Sequence, residues 1–236
     1  LLRGASEEAL REVHDFAQGN AGHVRIGSGP IAADHVLPAL CQLLLREAPS
    51  TTIDITVGPS MALRQQLSEG SIDLLIGLVP VSDALFQTHP ISEDAVVVAT
   101  SPQHPVFALP QVSLQALLDY GWALPAVSIP SRQWLDAVFQ SRGLPLPRVQ
   151  VSANSIPLLP ALIARTGLLS FVSRRTLSDS RHGVLKEVPL PETTLIRTLG
   201  VTHRRGGYLS PAARRLVSLL QVYGESLAAE GMVHLP

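Results

Sequence analysis

Aromatic residues are scarce in this chain of 236 residues, at 4% of the total. With 46% hydrophobic residues, the core must therefore be built mostly from Leu, Val, Ile and Ala. The length allows a sizeable core, in one domain or two small ones. A single cysteine, Cys41, excludes an internal disulfide and suits the cytosol. Its apolar helical setting is that of a buried, inert thiol. Positive charge is not in excess, since 18 Lys and Arg stand against 19 Asp and Glu, for a net charge of −1. A self-sufficient nucleic-acid binder carries a basic excess or stripe; Arg174-Arg175, Arg204-Arg205 and Arg214-Arg215 are scattered pairs. No apolar run reaches the roughly 18 residues of a membrane span, and no signal peptide is visible. The first residue is Leu, so a fragment or processed chain is expected.

Catalytic signals are equally thin. No G-x-S-x-G elbow and no acid–base cluster occurs, and none of the eight histidines pairs with another at metal-ligand spacing. No enzyme, metal or cofactor is therefore expected. His104, in Gln103-His104-Pro105, reads as a turn histidine in a Pro-flanked loop. Gly27-Ser28-Gly29-Pro30-Ile31-Ala32 fits the G-x-G-x-x-A dinucleotide pattern formally. However, Pro30 lacks the N–H a phosphate would use, and Asp54 lies within a strand rather than at its end. A tight strand–helix turn, or a helix start lining a small-ligand cleft, are the other readings.

What the chain does have is order. In residues 67–77, Leu67-Ser68-Glu69-Gly70-Ser71-Ile72-Asp73-Leu74-Leu75-Ile76-Gly77, a helix ends at a glycine suited to a left-handed cap. An apolar run follows, as in a strand buried on both faces. Upstream, strands near 23–28 and 52–58 flank a helix over 31–47, with another helix at 60–69. Strand, helix, strand, helix, strand is the wiring of a parallel sheet. Extended chain over 86–100 leads to a second set: helices at 113–119, 131–142 and 155–165, with strands at 122–126, 148–152 and 168–173. Residues 195–202 return to the first lobe. The last helix starts with Ser210 as N-cap and Pro211 at its first position, and its stripe is Leu216, Leu220, Tyr223 and Leu227. A polar helix over 5–18 precedes everything, stopped by Gly19-Asn20-Ala21-Gly22. The helix at 31–47 carries two apolar stripes, so Val36, Leu37, Leu40 and Leu44 are expected to meet a second subunit.

Polar residues gather at helix starts: Ser28 and Ser60 in the first lobe; Ser128, Ser131, Arg132, Asn154 and Ser155 in the second. Each can cap its helix or touch a ligand. Sheets of this wiring bind ligands at the carboxyl ends of their strands. Arg132 could pair with a carboxylate or sulfonate, or be a solvated helix residue.

The chain resembles a known family, the effector-binding (substrate-binding) domain of LysR-type transcriptional regulators. The resemblance is carried by His23-Val24-Arg25-Ile26-Gly27-Ser28, Leu37-Pro38, Ala48-Pro49 and the 70–76 segment. It continues through Val96-Val97-Val98-Ala99-Thr100-Ser101-Pro102-Gln103-His104-Pro105, Arg142-Gly143-Leu144-Pro145 and Leu209-Ser210-Pro211-Ala212-Ala213. The stretch Gly167-Leu168-Leu169-Ser170-Phe171-Val172-Ser173-Arg174 departs from the family's glycine-rich pattern. Thr202-His203-Arg204-Arg205-Gly206 and the Leu146-Pro147 neighbourhood are similar to the subgroup of galactose-binding-protein and toluenesulfonate regulators. The resemblance implies an α/β fold of two Rossmann-like lobes joined by two crossover segments, like a type 2 periplasmic binding protein. Residues 1–22 would end a linker helix, 23–97 and 199–236 form lobe I, and 98–198 form lobe II. It implies an effector cleft between the lobes using Ser28, Ile31, Pro59, Ser60, Ser101, Ser128, Ser131, Asn154 and Thr202. The effector would be a small molecule, with an organic anion among the candidates. The resemblance further implies a bacterial, cytoplasmic homodimer or homotetramer that meets DNA only through an N-terminal winged helix-turn-helix outside these residues, and meets no membrane. A periplasmic solute-binding protein of the same fold and an NAD(P)-dependent enzyme are the alternative readings.

Overall fold

The structure, a computed structural model, describes residues 22–79, 84–178 and 183–229; the expected helix over 5–18 lies outside them. The chain divides into two compact units, Leu1–Glu93 with Thr198–Pro236, and Asp94–Arg197. The division falls at 93/94 and 197/198, where 97/98 and 198/199 were expected.

Unit 1 is built on β1 (His23–Ser28), β2 (Thr52–Val57) and β3 (Leu74–Leu78). β1 lies parallel to both β2 and β3. The helices α1 (Pro30–His35), α2 (Leu37–Glu47) and α3 (Ser60–Glu69) connect them. The cap expected at Gly70 is present: its φ is 77°, and its N–H donates to the carbonyls of Gln66 and Leu67. Asp73 shows why an acidic residue opens this strand. Its carboxylate accepts the backbone N–H of Arg25 at 2.9 Å and Arg25 Nε at 3.2 Å, while its own N–H donates to the Arg25 carbonyl at 2.8 Å. One side chain thus pins the start of β3 to the middle of β1.

The helix expected over 31–47 is two helices. The chain turns at Val36 (φ −112°, ψ −47°), because Pro38 has no N–H to continue the ladder. This break decides what α2 buries. Val36, Leu37, Leu40 and Leu44 are 0%, 3%, 0% and 0% exposed within the single chain. They share a core with Val24 and Ile26 of β1 and with Leu216 and Leu220 of the closing helix. The Val36, Leu40 and Leu44 stripe and Leu37 are therefore covered within the chain, while Cys41 is half-buried and Leu45 is exposed. The exposed positions of α2 are Pro38, Gln42, Leu45, Arg46 and Glu47.

Two long strands pass between the units: β4 (Phe86–Thr100) and, after unit 2, β9 (Leu195–Arg204), which pairs antiparallel with β3. The final helix, α7 (Pro211–Ala229), begins as expected, with Ser210 Oγ accepting the Ala213 N–H at 3.1 Å. The side chains of Tyr223 and Leu227 lie outside the described residues.

Unit 2 contains α4 (Leu114–Leu117), β5 (Trp122–Pro125), α5 (Pro130–Ser141), β6 (Val149–Ala153), α6 (Leu158–Thr166), β7 (Ser170–Ser173) and β8 (Lys186–Glu187). β5 runs parallel to β6, and a parallel bridge joins Trp122 to Leu169 just before β7. β4 pairs antiparallel with β7 and β8. The scarce aromatics concentrate here. Trp122 and Phe139 meet edge to face, Trp134 stacks on Phe171, and Trp122 Nε1–H donates to the Leu117 carbonyl at 3.1 Å. Ser173, one of the serines that set β7 apart from the family pattern, also finds its reason. Ser173 Oγ donates at 2.6 Å to Asp94, a carboxylate that also accepts Arg197 Nε at 2.8 Å. A buried carboxylate needs such partners, and β7 supplies one of them.

Candidate functional site

In unit 1 the carboxyl ends of three parallel strands lie side by side: Ser28, Val57 and Leu78. Each of the first two runs directly into a helix start, α1 at Pro30 and α3 at Ser60. Ser28 is fully buried, and its hydroxyl donates to the Gly29 carbonyl at 3.1 Å. The Gly29 N–H is committed to the Ile76 carbonyl at 3.0 Å, and the Gly58 N–H to the Ser28 carbonyl at 3.1 Å. With the Gly29 amide spent and Pro30 offering no donor, the turn supplies fewer amides than a pyrophosphate site uses, which counts against the dinucleotide reading of this Gly-rich stretch. Ile31 is nearly covered at 9%, while Pro59 and Ser60 are exposed.

In unit 2 the parallel strands β5, β6 and β7 end at Pro125, Ala153 and Ser173. Ser128 and Asn154 are exposed just past two of these ends; Ser131 and Arg132 are 8% and 5% exposed. None of these residues caps its helix with its side chain. α1, α3, α5 and α6 all lack a side-chain cap, and their N-cap residues are Gly29, Pro59, Ile129 and Pro157. The side chains of Ser60, Ser128, Ser131 and Asn154 have no hydrogen-bond partner within the chain among the described residues. Their hydrogen-bonding capacity is unspent.

Three expected site residues are placed differently. Arg132 is neither solvated nor available: its Nε holds both Asp136 oxygens, at 2.8 and 2.9 Å, and Nη1 reaches the Pro125 carbonyl at 3.5 Å. It braces the end of β5 instead. Arginine and aspartate four residues apart on one helix face pair readily, so this partner was legible in the sequence and was missed. Thr202 stands opposite Leu75, set back from the end of β3, and its hydroxyl pairs with that of Thr88 at 3.0 Å. Ser101 follows the end of β4. Since β4 is antiparallel to β7, with Ala99 opposite Ser170 and Val96 opposite Ser173, Ser101 lies at the amino ends of the unit 2 strands. Ser128 and Asn154 lie at the other end. A loop brace also went unforeseen: Gln133 Nε2 donates to the Val127 carbonyl at 3.0 Å, holding the segment that carries Ser128.

The remaining chemistry is quiet. His104 is the turn histidine expected: its Nδ1 accepts the Val106 N–H at 3.0 Å, and burial holds its pKa below the usual imidazole value. Burial pushes the Cys41 thiol up, away from a reactive thiolate. Among the described residues no three His, Cys, Asp or Glu side chains gather to hold a metal ion, and no helix is long and apolar enough to cross a membrane.

Helix starts beside the carboxyl ends of parallel strands are the places at which α/β folds of this wiring take small molecules. The model of the LysR substrate binding domain matches residues 17–223, and the chain belongs to that family. It is 26% identical over 203 residues to the HTH-type transcriptional regulator GalR of Pseudomonas putida, covering 85% of this chain and 51% of that protein. To the HTH-type transcriptional regulator GbpR of Azospirillum brasilense it is 25% identical over 224 residues, covering 93% and 66%. The chain thus spans between half and two thirds of the length of these relatives. The regulatory domain of CcmR from Synechocystis PCC6803, solved in complex with 2-PG, matches with a TM-score of 0.75 at 19% identity, over 86% of this chain and 97% of that one. The shared fold is the type 2 periplasmic-binding-protein-like one.

Proposed function

We propose that this chain is the effector-sensing part of a LysR-type transcriptional regulator, and that its effector is a small polar or anionic molecule. The candidate contact residues are Ser28, Ile31, Pro59 and Ser60 in unit 1, and Ser128, Ser131 and Asn154 in unit 2. The observation that supports this most is the unspent hydrogen-bonding capacity of Ser60, Ser128, Ser131 and Asn154 at helix starts their side chains do not cap. In this reading the effector switches the protein by binding two conformations unequally, since equal affinity would shift nothing. The chain acts as a homodimer or homotetramer in the cytoplasm, and DNA is met by a domain outside these residues. The family assignment favours this over a solute-binding protein or an enzyme.

The test is a thermal-shift screen of small organic acids, 2-PG among them, followed by calorimetry on variants. Trp134, one helical turn from Ser131, gives a fluorescence signal for the same titration. Each neutral hydrogen bond contributes about 0.5–1.5 kcal/mol, and one to a charged group about 1.5–3 kcal/mol. Ser128→Ala and Asn154→Ala should therefore weaken binding about 2- to 100-fold while leaving the melting temperature of the free protein unchanged. Unaltered affinity in both variants would sink the assignment.

A further inference from the structure

We propose that unit 2 carries a second ligand site, at the amino ends of its strands, for a small organic acid. A cavity of about 360 Å³ opens there, lined by Ser101, Gln103, Ala161, Ala164, Arg165 and Val184 among others. It is separate from the candidate effector residues of this unit, which lie past the carboxyl ends of β5 and β6. α6 sets this distance: Asn154 precedes its first turn, while Ala161, Ala164 and Arg165 belong to its second half.

Three features assign the ligand chemistry. Arg165 is the only charged residue in the described lining. It is exposed and has no carboxylate partner among the described residues, whereas Arg25, Arg132, Arg142, Arg174, Arg197 and Arg215 each hold one. A guanidinium is a planar fork matched to a carboxylate. The side chains of Ser101 and Gln103 likewise have no hydrogen-bond partner within the chain among the described residues. The hydroxyl and amide can complete the hydrogen bonding of an anion held by Arg165. The rest of the wall is small and apolar, with Ala161, Ala164 and Val184, the last 75% exposed. The volume lies in the lower range of small-molecule sites, about 300–1,000 Å³, and exceeds what an inorganic anion fills. One cation, two neutral donors and an apolar wall fit a monocarboxylate with a short aliphatic body.

The experiment is an amide NMR titration of the chain with sodium butyrate at constant ionic strength, with inorganic phosphate in a parallel arm. Saturable shifts are expected at Gln103, Ala164 and Gly183. Arg165→Ala should weaken them about tenfold or more, with a smaller loss in Gln103→Ala. Arg148→Ala, removing an exposed arginine outside the described lining, should leave these shifts unaltered. Shifts that grow linearly without saturating overturn the proposal. So does equal weakening by Arg148→Ala, which marks nonspecific attraction, or phosphate binding as tightly as butyrate, which denies the apolar wall a role. Shifts confined to Ser128, Ser131 and Asn154 would also overturn it, while leaving the effector reading intact.

Discussion

Leu40→Ala separates a core residue from a subunit contact. Leu40 is 0% exposed in the single chain, within the cluster that joins α2 to β1 and α7. Truncation removes three buried carbons at about 0.8 kcal/mol each and leaves a cavity that β1 and α7 can only partly fill. The expected loss is about 2–5 kcal/mol, the range for a buried Leu cut to Ala. Urea unfolding followed by far-UV circular dichroism is the assay. Far-UV circular dichroism reports on unit 1 directly, whereas Trp122 and Trp134 both belong to unit 2. Because the burial is internal, the loss must be the same at high and low protein concentration. Leu45→Ala, at a side chain 42% exposed on the same helix, should cost about 0.5 kcal/mol or less. A Leu40→Ala loss below about 1 kcal/mol, or one that disappears on dilution, would refute the internal-core assignment and return the residue to an interface.

Asp73→Ala leaves Arg25 without its carboxylate and the β1 backbone N–H without its acceptor. A loss of about 1.5–3 kcal/mol is expected in the same urea assay. Asp73→Asn, which keeps an acceptor oxygen, should lose less. His104 makes stability depend on pH. Its folded pKa is lowered by burial, so the unfolded chain takes up the proton first as pH falls. This contribution is complete above the ordinary imidazole pKa of about 6.5 and is lost as pH drops through the folded value. His104→Asn, which keeps an acceptor for the Val106 N–H, should flatten the stability–pH curve below that point. An unchanged slope would leave burial of the neutral ring without a thermodynamic effect.

Most of the fold was legible because its signals are local. The left-handed cap at Gly70, the Ser210 cap and the apolar runs of β1 and β3 each depend on a few adjacent residues. What local signals could not give was the partner of a face. Two apolar stripes on 31–47 were rightly seen, but periodicity says only that a surface must be covered, not by what. For Val36, Leu37, Leu40 and Leu44 the cover is β1 and α7, the latter about 170 residues downstream, while Leu45 of the second stripe stays exposed. Asp73 belongs to the same class: an acid opening a strand is visible, but its contact with Arg25 spans 48 residues.

The candidate site divides along the same line. Ser60, Ser128 and Asn154 could be singled out as candidates because a helix start beside a strand end is a sequence feature. Ser101 and Thr202, taken from resemblance alone, went astray. A position in an alignment carries no strand direction, and direction decides which end of a sheet a residue reaches. β4 is antiparallel to β7, so the residue just past its end sits opposite the residues past β5 and β6, however close it stands in a family motif. Arg132 failed for a different reason. Its charge suggested a ligand, but a guanidinium buried to 5% exposure must be paired before any ligand arrives, and Asp136, four residues on, is that pair. The arginine left unpaired at a cavity is Arg165. Nothing in its local sequence marks it, because what distinguishes it is that no carboxylate pairs with it among the described residues.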